Sequence, residues 1–230
     1  MGDLDFSIVV KNFPILWDGL LLSFKLFGIA LVGGIFFGTL LALARLSSFK
    51  MLNLPAAAFV NLLRSIPFIM AIFWFYFLTP MLVGKITGQQ GEAVGPFTSA
   101  IVAFIMVESA YYSEIIRAGI QSVHKGQMEA GSSLGLARGS TLRLIVVPQA
   151  LRVILPPLTN QYLNLTKNSS LAVAIGYPDL VSVFAGTTLS QTGQAIEIIG
   201  ITMGVYLLLS LITSAIMSFY GWRLGRSLGP

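Results

Sequence analysis

Gln127-Met128-Glu129-Ala130-Gly131-Ser132-Ser133-Leu134-Gly135, followed after nine residues by Ile145-Val146-Val147-Pro148-Gln149, is the stretch on which the fold turns. It is polar, flanked by basic residues, helix-prone and punctuated by glycine, so it cannot sit in lipid. Almost everything around it can. The 230 residues are 55% hydrophobic and only 10% charged, against about 25% charged in a soluble domain. Long apolar runs recur, so water is not the main solvent of this chain. A polar segment with this much helical character, kept between apolar runs, is one presented to something in the aqueous phase.

A helix needs about 20 apolar residues to cross the hydrocarbon layer. Five runs qualify, at about 17–44, 55–79, 97–117, 150–168 and 195–220. The fold class is therefore all-α: a polytopic membrane protein with five transmembrane helices. Residues 169–194 are rich in Gly, Ser and Thr, too polar for a lipid-facing span, and read as a re-entrant or interfacial segment. No repeat or domain linker is evident, so 1–230 reads as a single membrane domain, with its core at about 19–218 and the polar loop at about 118–149. The acidic start Met1-Gly2-Asp3-Leu4-Asp5 lacks the basic character of a secretory signal, and the first span reads as retained. Basic residues gather beside particular span ends: Arg45 and Lys50, then Arg117, Lys125, Arg138, Arg143 and Arg152, then Arg223 and Arg226. The opposite side carries Lys11, Lys85 and Lys167. The positive-inside rule then places the N-terminus outside, and the 118–149 loop and the C-terminus in the cytoplasm. The net charge of +5 is accounted for without nucleic acid.

Within the loop, Gly126 to Leu134 reads as a short helix. Glu129 falls in its first turn, where a carboxylate complements the helix dipole, and Gly135 suits a left-handed C-terminal cap. Ser140 or Thr141 can start a second short helix, and Pro148 marks entry to the fourth span. Glu114 and Arg117, three apart at the end of the third span, share a helix face and can pair.

The pattern Glu-Ala-Ala, three residues, Gly, nine residues, Ile-x-Leu-Pro is the signature of bacterial ABC importer permeases, and this stretch resembles it. Glu129, Ala130, Gly135, Ile145 and Pro148 match it, while Gly131 and Val147 stand where the family has Ala and Leu. Gly131 should loosen the short helix by roughly 0.5–1 kcal/mol relative to Ala. The resemblance extends along the chain to the polar amino-acid subfamily through Asn61-Leu62-Leu63-Arg64-Ser65-Ile66-Pro67, Ala110 to Ile120, Leu155 to Gln161 and Lys167-Asn168-Ser169-Ser170-Leu171. Arg45 to Phe49, Phe73 to Phe77 and Glu108 to Tyr112 resemble the glutamate/aspartate importers in particular. The resemblance implies an importer permease of the bacterial inner membrane. It implies a cytoplasmic ATP-binding subunit dimer docked on Gln127, Glu129, Ala130, Gly135, Ile145 and Pro148. It also implies an extracytoplasmic substrate-binding protein and a second permease, a copy or a paralogue, with the heterodimer favoured.

Ionisable groups at membrane depth usually mark function or pairing. Glu108 lies roughly 16 Å into the third span at 1.5 Å per residue. Two readings stand: a carboxylate facing the substrate path, with Tyr111 and Tyr112 at hand, or a structural pair with Arg64 or Lys167. Arg64 precedes Ser65 and Pro67, and Pro67 should kink the second span. Arg64 either grips a cargo carboxylate bidentately or snorkels to the interface. Asn160, Asn164 and Lys167 recur on one helix face, and with Gln161, Asn168, Ser169 and Ser170 they make the end of the fourth span a polar stripe facing water or another helix. Many family members have Asp where Asn168 stands, which leaves Lys167 less compensated and suits an acidic cargo. Lys25 snorkels. The aromatics Phe73 to Phe77 form an interfacial belt or a hydrophobic gate.

Much chemistry is excluded. With no cysteine and one histidine, His124, there is no disulfide, Cys-ligated cluster or His-rich metal site. No phosphate-binding Gly-rich loop and no nucleophile elbow occur, so no cofactor is expected and the chain should not hydrolyse ATP by that route; the resemblance implies that a partner subunit does. Glu108 and Glu114, six apart, fall on largely different helix faces. The rivals are an ATP-independent channel, which would keep its activity in Glu129→Lys, and a membrane enzyme using Glu108 and Glu114, which would turn over as a single purified chain. A third is the same permease with glutamine, histidine or arginine as cargo.

Overall fold

The structure is a computed structural model that describes residues 7–88 and 94–227, with side chains as far as 219. The acidic start and the side chains of Arg223 and Arg226 lie outside the described residues. Ten α-helices follow in order: α1 Ser7–Lys11, α2 Phe13–Leu46, α3 Lys50–Ser65, α4 Phe68–Thr87, α5 Pro96–Ser122, α6 Lys125–Ser133, α7 Arg138–Thr141, α8 Val147–Asn168, α9 Leu189–Thr192 and α10 Ala195–Ser227. Wide π-type turns occupy Leu142–Val146 and Val181–Thr188, and tight 3₁₀ turns Ser169–Ile175. Among the described residues five helical runs are long and apolar enough to cross a membrane: Phe13–Leu46, Phe68–Thr87, Pro96–Ser122, Arg138–Ile175 and Ala195–Phe219. The all-α class and the number of spans are as expected.

The second span is not where the hydropathy places it. A single kinked helix over 55–79 is replaced by two helices, with Ile66 extended at φ −103°, ψ 148°. The residue before a proline is pushed out of the helical region, and Pro67 converts the expected kink into a break. The apolar residues of 55–65 belong to α3, an amphipathic helix whose Val60 and Leu63 pack on Ala110. The span itself is α4, which begins at Phe68. Phe73 to Phe77 therefore fall in the half of α4 nearer the break, not at its far end. Phe73, Phe75 and Tyr76 pack inward on the main core, while Trp74 and Phe77 stay exposed.

α2 and α5 run parallel and form the centre of the bundle. Their approach is close because glycine lies between them: a Cβ on Gly34 would come within 2.8 Å of the Glu108 Cβ, and one on Gly38 within 2.7 Å of the Tyr112 Cβ. With lipid outside there is little hydrophobic force between spans, so close packing of small residues takes its place. Ala100, Ala103, Ser109 and Ala110 of α5 are likewise buried. α8 returns antiparallel, with Ile154 seated against Gly119. At the end of the bundle away from α6, Tyr177 Oη donates to the Leu22 carbonyl at 2.8 Å and Leu180 N donates to Ser23 Oγ at 3.0 Å. The polar segment 169–194 is thus a pair of short helical pieces tied to α2. Beside it, the Lys25 ammonium lies 4.6 Å from the centre of the Phe97 ring.

Candidate functional site

Three arginines from three elements converge on one carboxylate. Glu114 of α5 accepts from Arg45 Nη1 of α2 at 2.6 Å and from Arg117 Nη2 of its own helix at 2.5 Å. Arg64, in the last turn of α3, comes only to 3.7 Å. Arg45 is 9% exposed, Arg117 25% and Arg64 37%. The Glu114–Arg117 pair is the one expected from helical spacing. Arg45 and Arg64 reach Glu114 from far along the chain, and no local spacing announces them. Arg117 also donates to Gln121 Oε1, and Arg64 lies 5.8 Å from the Tyr111 ring centre. Three guanidinium groups against one carboxylate (3 − 1) leave a surplus of two positive charges, and the least engaged of the three is Arg64.

Arg64 stands at the rim of a groove of about 540 Å³, with Tyr111, Glu114, Asn160, Gln161 and Val153 among its walls. Four residues expected to line a path, Arg64, Tyr111, Asn160 and Gln161, thus meet in one space. Glu114 joins them, though the sequence offers it only as a partner of Arg117. Ser65 and Pro67 mark the break beside the groove, with Ser65 Oγ donating to the Asn61 carbonyl at 2.7 Å. Asn160, Asn164 and Lys167 are exposed along one face of α8, the stripe that the spacing implies. Asn164 and Lys167 lie beyond the groove. Asn168, Ser169 and Ser170 lie further along, with the two serine hydroxyls turned back to the Thr166 and Lys167 carbonyls at 2.7 Å.

Glu108 pairs with neither Arg64 nor Lys167. It is fully buried, and its Oε2 accepts from Gln161 Nε2 at 2.9 Å. Tyr112, also fully buried, stacks obliquely with Tyr162 at 6.3 Å. Neither lines the groove: Glu108 lies behind Gln161, and Tyr112 packs against Gly34 and Gly38 of α2. The pairing with a basic residue fails because Arg64 stops at the α3–α4 break and Lys167 points off the exposed face of α8.

The hairpin is built by its caps. The His124 ring accepts from Gly126 N at 3.1 Å and starts α6 at Lys125. Glu129 is therefore a full turn in, not in the first turn where the sequence places it. Gly135 is left-handed at φ 76°, and the end bonds run from Gly135 N to the Ser132 carbonyl and from Leu136 N to the Gly131 carbonyl, each 3.0 Å. This is the Schellman pattern that glycine makes possible. The second helix starts at Arg138, earlier than Ser140 or Thr141, with Ala137 in the capping position. Thr141 is turned inward instead. Gln127, Glu129, Ala130 and Gly135 are exposed on the hairpin, and Ile145 and Pro148 are half-buried where it joins α8.

Gly131 is buried, and a Cβ there would strike the Thr141 methyl and lie 2.7 Å from its hydroxyl. The glycine that helix propensity marks as a weakness is the point at which α6 packs on α7. Gly131→Ala is accordingly expected to destabilise the hairpin by about 1–3 kcal/mol through overpacking, reversing the sign expected from propensity alone. Thr141→Ala in the same chain should recover most of that loss. Thermal unfolding of the four members of the cycle in detergent checks it, and a stabilised Gly131→Ala single variant refutes it.

The sequence profile of the family described as binding-protein-dependent transport system inner membrane component matches residues 34–224. The glutamate/aspartate import permease protein GltK of Escherichia coli O6:H1 is 39% identical over 219 residues, 95% of this chain and 97% of GltK. YhdX of Escherichia coli K12, a putative amino-acid ABC transporter permease protein, is 58% identical over 137 residues, 59% of this chain. The match spans about a third of YhdX, 35% of its length. Among solved structures, an amino acid ABC transporter crystallised with histidines superposes with a TM-score of 0.84 at 32% identity, covering 95% of this chain and 98% of that one.

Proposed function

We propose a cargo and a coupling route from one premise: this chain belongs to the family of binding-protein-dependent transport system inner membrane components and is the permease subunit of an amino-acid ABC importer. The cargo in this reading is glutamate or aspartate, delivered by an extracytoplasmic substrate-binding protein. The whole chain serves as one permease domain, with its N-terminus outside and its C-terminus and the α6–α7 hairpin in the cytoplasm. A cytoplasmic dimer of ATP-binding subunits seats on Gln127, Glu129, Ala130, Gly135, Ile145 and Pro148. A second permease completes the path along Arg64, Ser65, Pro67, Tyr111, Asn160, Gln161, Asn164, Lys167 and Asn168 to Ser170, with Glu108 supporting it through Gln161 and Tyr112 through its packing on Tyr162. ATP hydrolysis is the partner's; this subunit couples and conducts. The sequence likeness to GltK, a glutamate/aspartate import permease protein, supports the acidic cargo.

The observation that carries the reading is the state of Arg64. It faces the groove, and the carboxylate nearest to it is already held by Arg45 and Arg117 at 2.6 and 2.5 Å. A guanidinium with donors to spare grips a planar carboxylate in two places. Losing a charge-assisted hydrogen bond of this kind costs about 1.5–3 kcal/mol, roughly ten- to hundred-fold. Arg64→Gln, in the assembled complex with saturating loaded binding protein, should lower glutamate uptake by that factor while basal ATPase persists. Competition by unlabelled glutamine, histidine and arginine reads the selectivity in the same assay. Unchanged glutamate uptake in the variant refutes the carboxylate assignment.

A further inference from the structure

Between the hairpin and the ends of the bundle lies a second cleft, of about 590 Å³, that the transport reading leaves unused. Its aliphatic walls come from Leu43 and Leu46 at the end of α2, Ile120 at the end of α5, and Leu142. Two cations, Lys125 and Arg138, belong to the same lining. Both are exposed, and neither takes part in an ion pair among the described residues. Among the described residues no carboxylate lines the cleft.

We infer that this cleft holds the headgroup of an anionic phospholipid, with the phosphate between Lys125 and Arg138. The first acyl methylenes lie along Leu43, Leu46, Ile120 and Leu142. Three features favour a lipid over an acidic segment of a partner protein. The cleft opens at the ends of α2 and α5, where a membrane-spanning bundle passes from hydrocarbon to water, and Leu43 at its edge is 55% exposed. An acyl chain can enter there without crossing water. The walls are mostly aliphatic, which a phosphate bearing hydrocarbon satisfies and a carboxylate-bearing peptide does not. Glu129 and Ala130, the residues matched to the docking signature, do not line the cleft. The lipid would sit as a wedge between hairpin and bundle, so the hairpin's movement would be transmitted partly through it. The inference does not depend on which amino acid is carried.

The test uses the assembled complex with its partner subunits. Lipid retained through purification is read by native mass spectrometry. Cargo-stimulated ATPase is read in vesicles of phosphatidylcholine alone and of phosphatidylcholine with phosphatidylglycerol. The wild type should retain phosphatidylglycerol and be stimulated by it. Lys125→Gln/Arg138→Gln should bind it roughly thirty-fold more weakly, the factor given by two cation contacts near an anionic surface. Lys125→Arg/Arg138→Lys should restore retention. Both sites are exposed, and the melting temperature of the variant serves as the folding control. Three outcomes overturn the inference: equal retention by wild type and the glutamine variant; displacement of the lipid by inorganic phosphate, which marks a free-phosphate site; or loss of the ATPase subunit from the glutamine variant with lipid retention unchanged, which marks a protein contact.

Discussion

Gly38→Val is expected to leave little folded protein. A Cβ at this position would stand 2.7 Å from the Tyr112 Cβ, 3.0 Å from the Ser109 carbonyl oxygen and 3.2 Å from Ser113 N. Two of those three atoms are backbone of α5, and the third is the root of a fully buried tyrosine. None can be moved by a change of rotamer. Relief requires α2 and α5 to separate, which also undoes the contact of Gly34 with Glu108 and loosens the seat of Gln161. Overpacking costs typically 1–3 kcal/mol where side chains can yield. Here the backbone must move, so a loss above about 3 kcal/mol follows, against a total stability of roughly 5–15 kcal/mol. Gly28→Val is the control, because among the described residues no atom outside its own stretch of helix backbone lies within 4 Å of a Cβ there. Yield and thermal midpoint in detergent report the difference. If the Gly38 variant melts with the control, the parallel pair is not the centre of the fold.

Glu114→Ala should be nearly as damaging, for an electrostatic reason. The substitution strands three guanidinium groups around a vacated carboxylate, one of them, Arg45, only 9% exposed. Breaking a buried pair by removing one partner costs about 3–5 kcal/mol. Glu114 is 23% exposed, so water screens part of this and the lower figure of about 3 kcal/mol is expected. Arg45→Ala added to Glu114→Ala should cost less than the sum of the two, because the second change removes a charge that the first left unpaired. Unfolding of all four proteins closes the cycle. Additive losses would mean that the short Arg45–Glu114 contact carries no coupling.

What the sequence discloses here is local. The Glu114–Arg117 pair, the left-handed Gly135 and the polar stripe through Asn160, Asn164 and Lys167 are all questions of helical spacing or backbone freedom, and each can be read from neighbouring residues. The same reasoning misses Arg45 and Arg64 at Glu114, because those contacts depend on how α2 and α3 are laid against α5. It misplaces the second span because average hydropathy cannot separate an amphipathic helix from the start of a lipid-facing one, and Ile66-Pro67 decides between them. It puts Glu129 in the wrong turn because the cap is His124, whose ring is not among the usual capping side chains. It also takes Gly131 for a weakness because the reason for that glycine, Thr141, lies across a turn.

The wide turn at Leu142–Val146 has a bearing on how this permease can vary. A π-type turn holds one residue more than the α-helix around it, and each residue of an α-helix advances the chain by about 100°. Deleting a single residue there would regularise the rod running into α8 and swing everything N-terminal to it, α6 included, by about that angle. The exposed face of the hairpin that carries Gln127, Glu129 and Ala130 would then point elsewhere, with every one of its side chains intact. Length between Arg138 and Pro148 is thus a dial for the azimuth of the hairpin, and an insertion or deletion in this interval should be more disruptive than a change of residue at the same place.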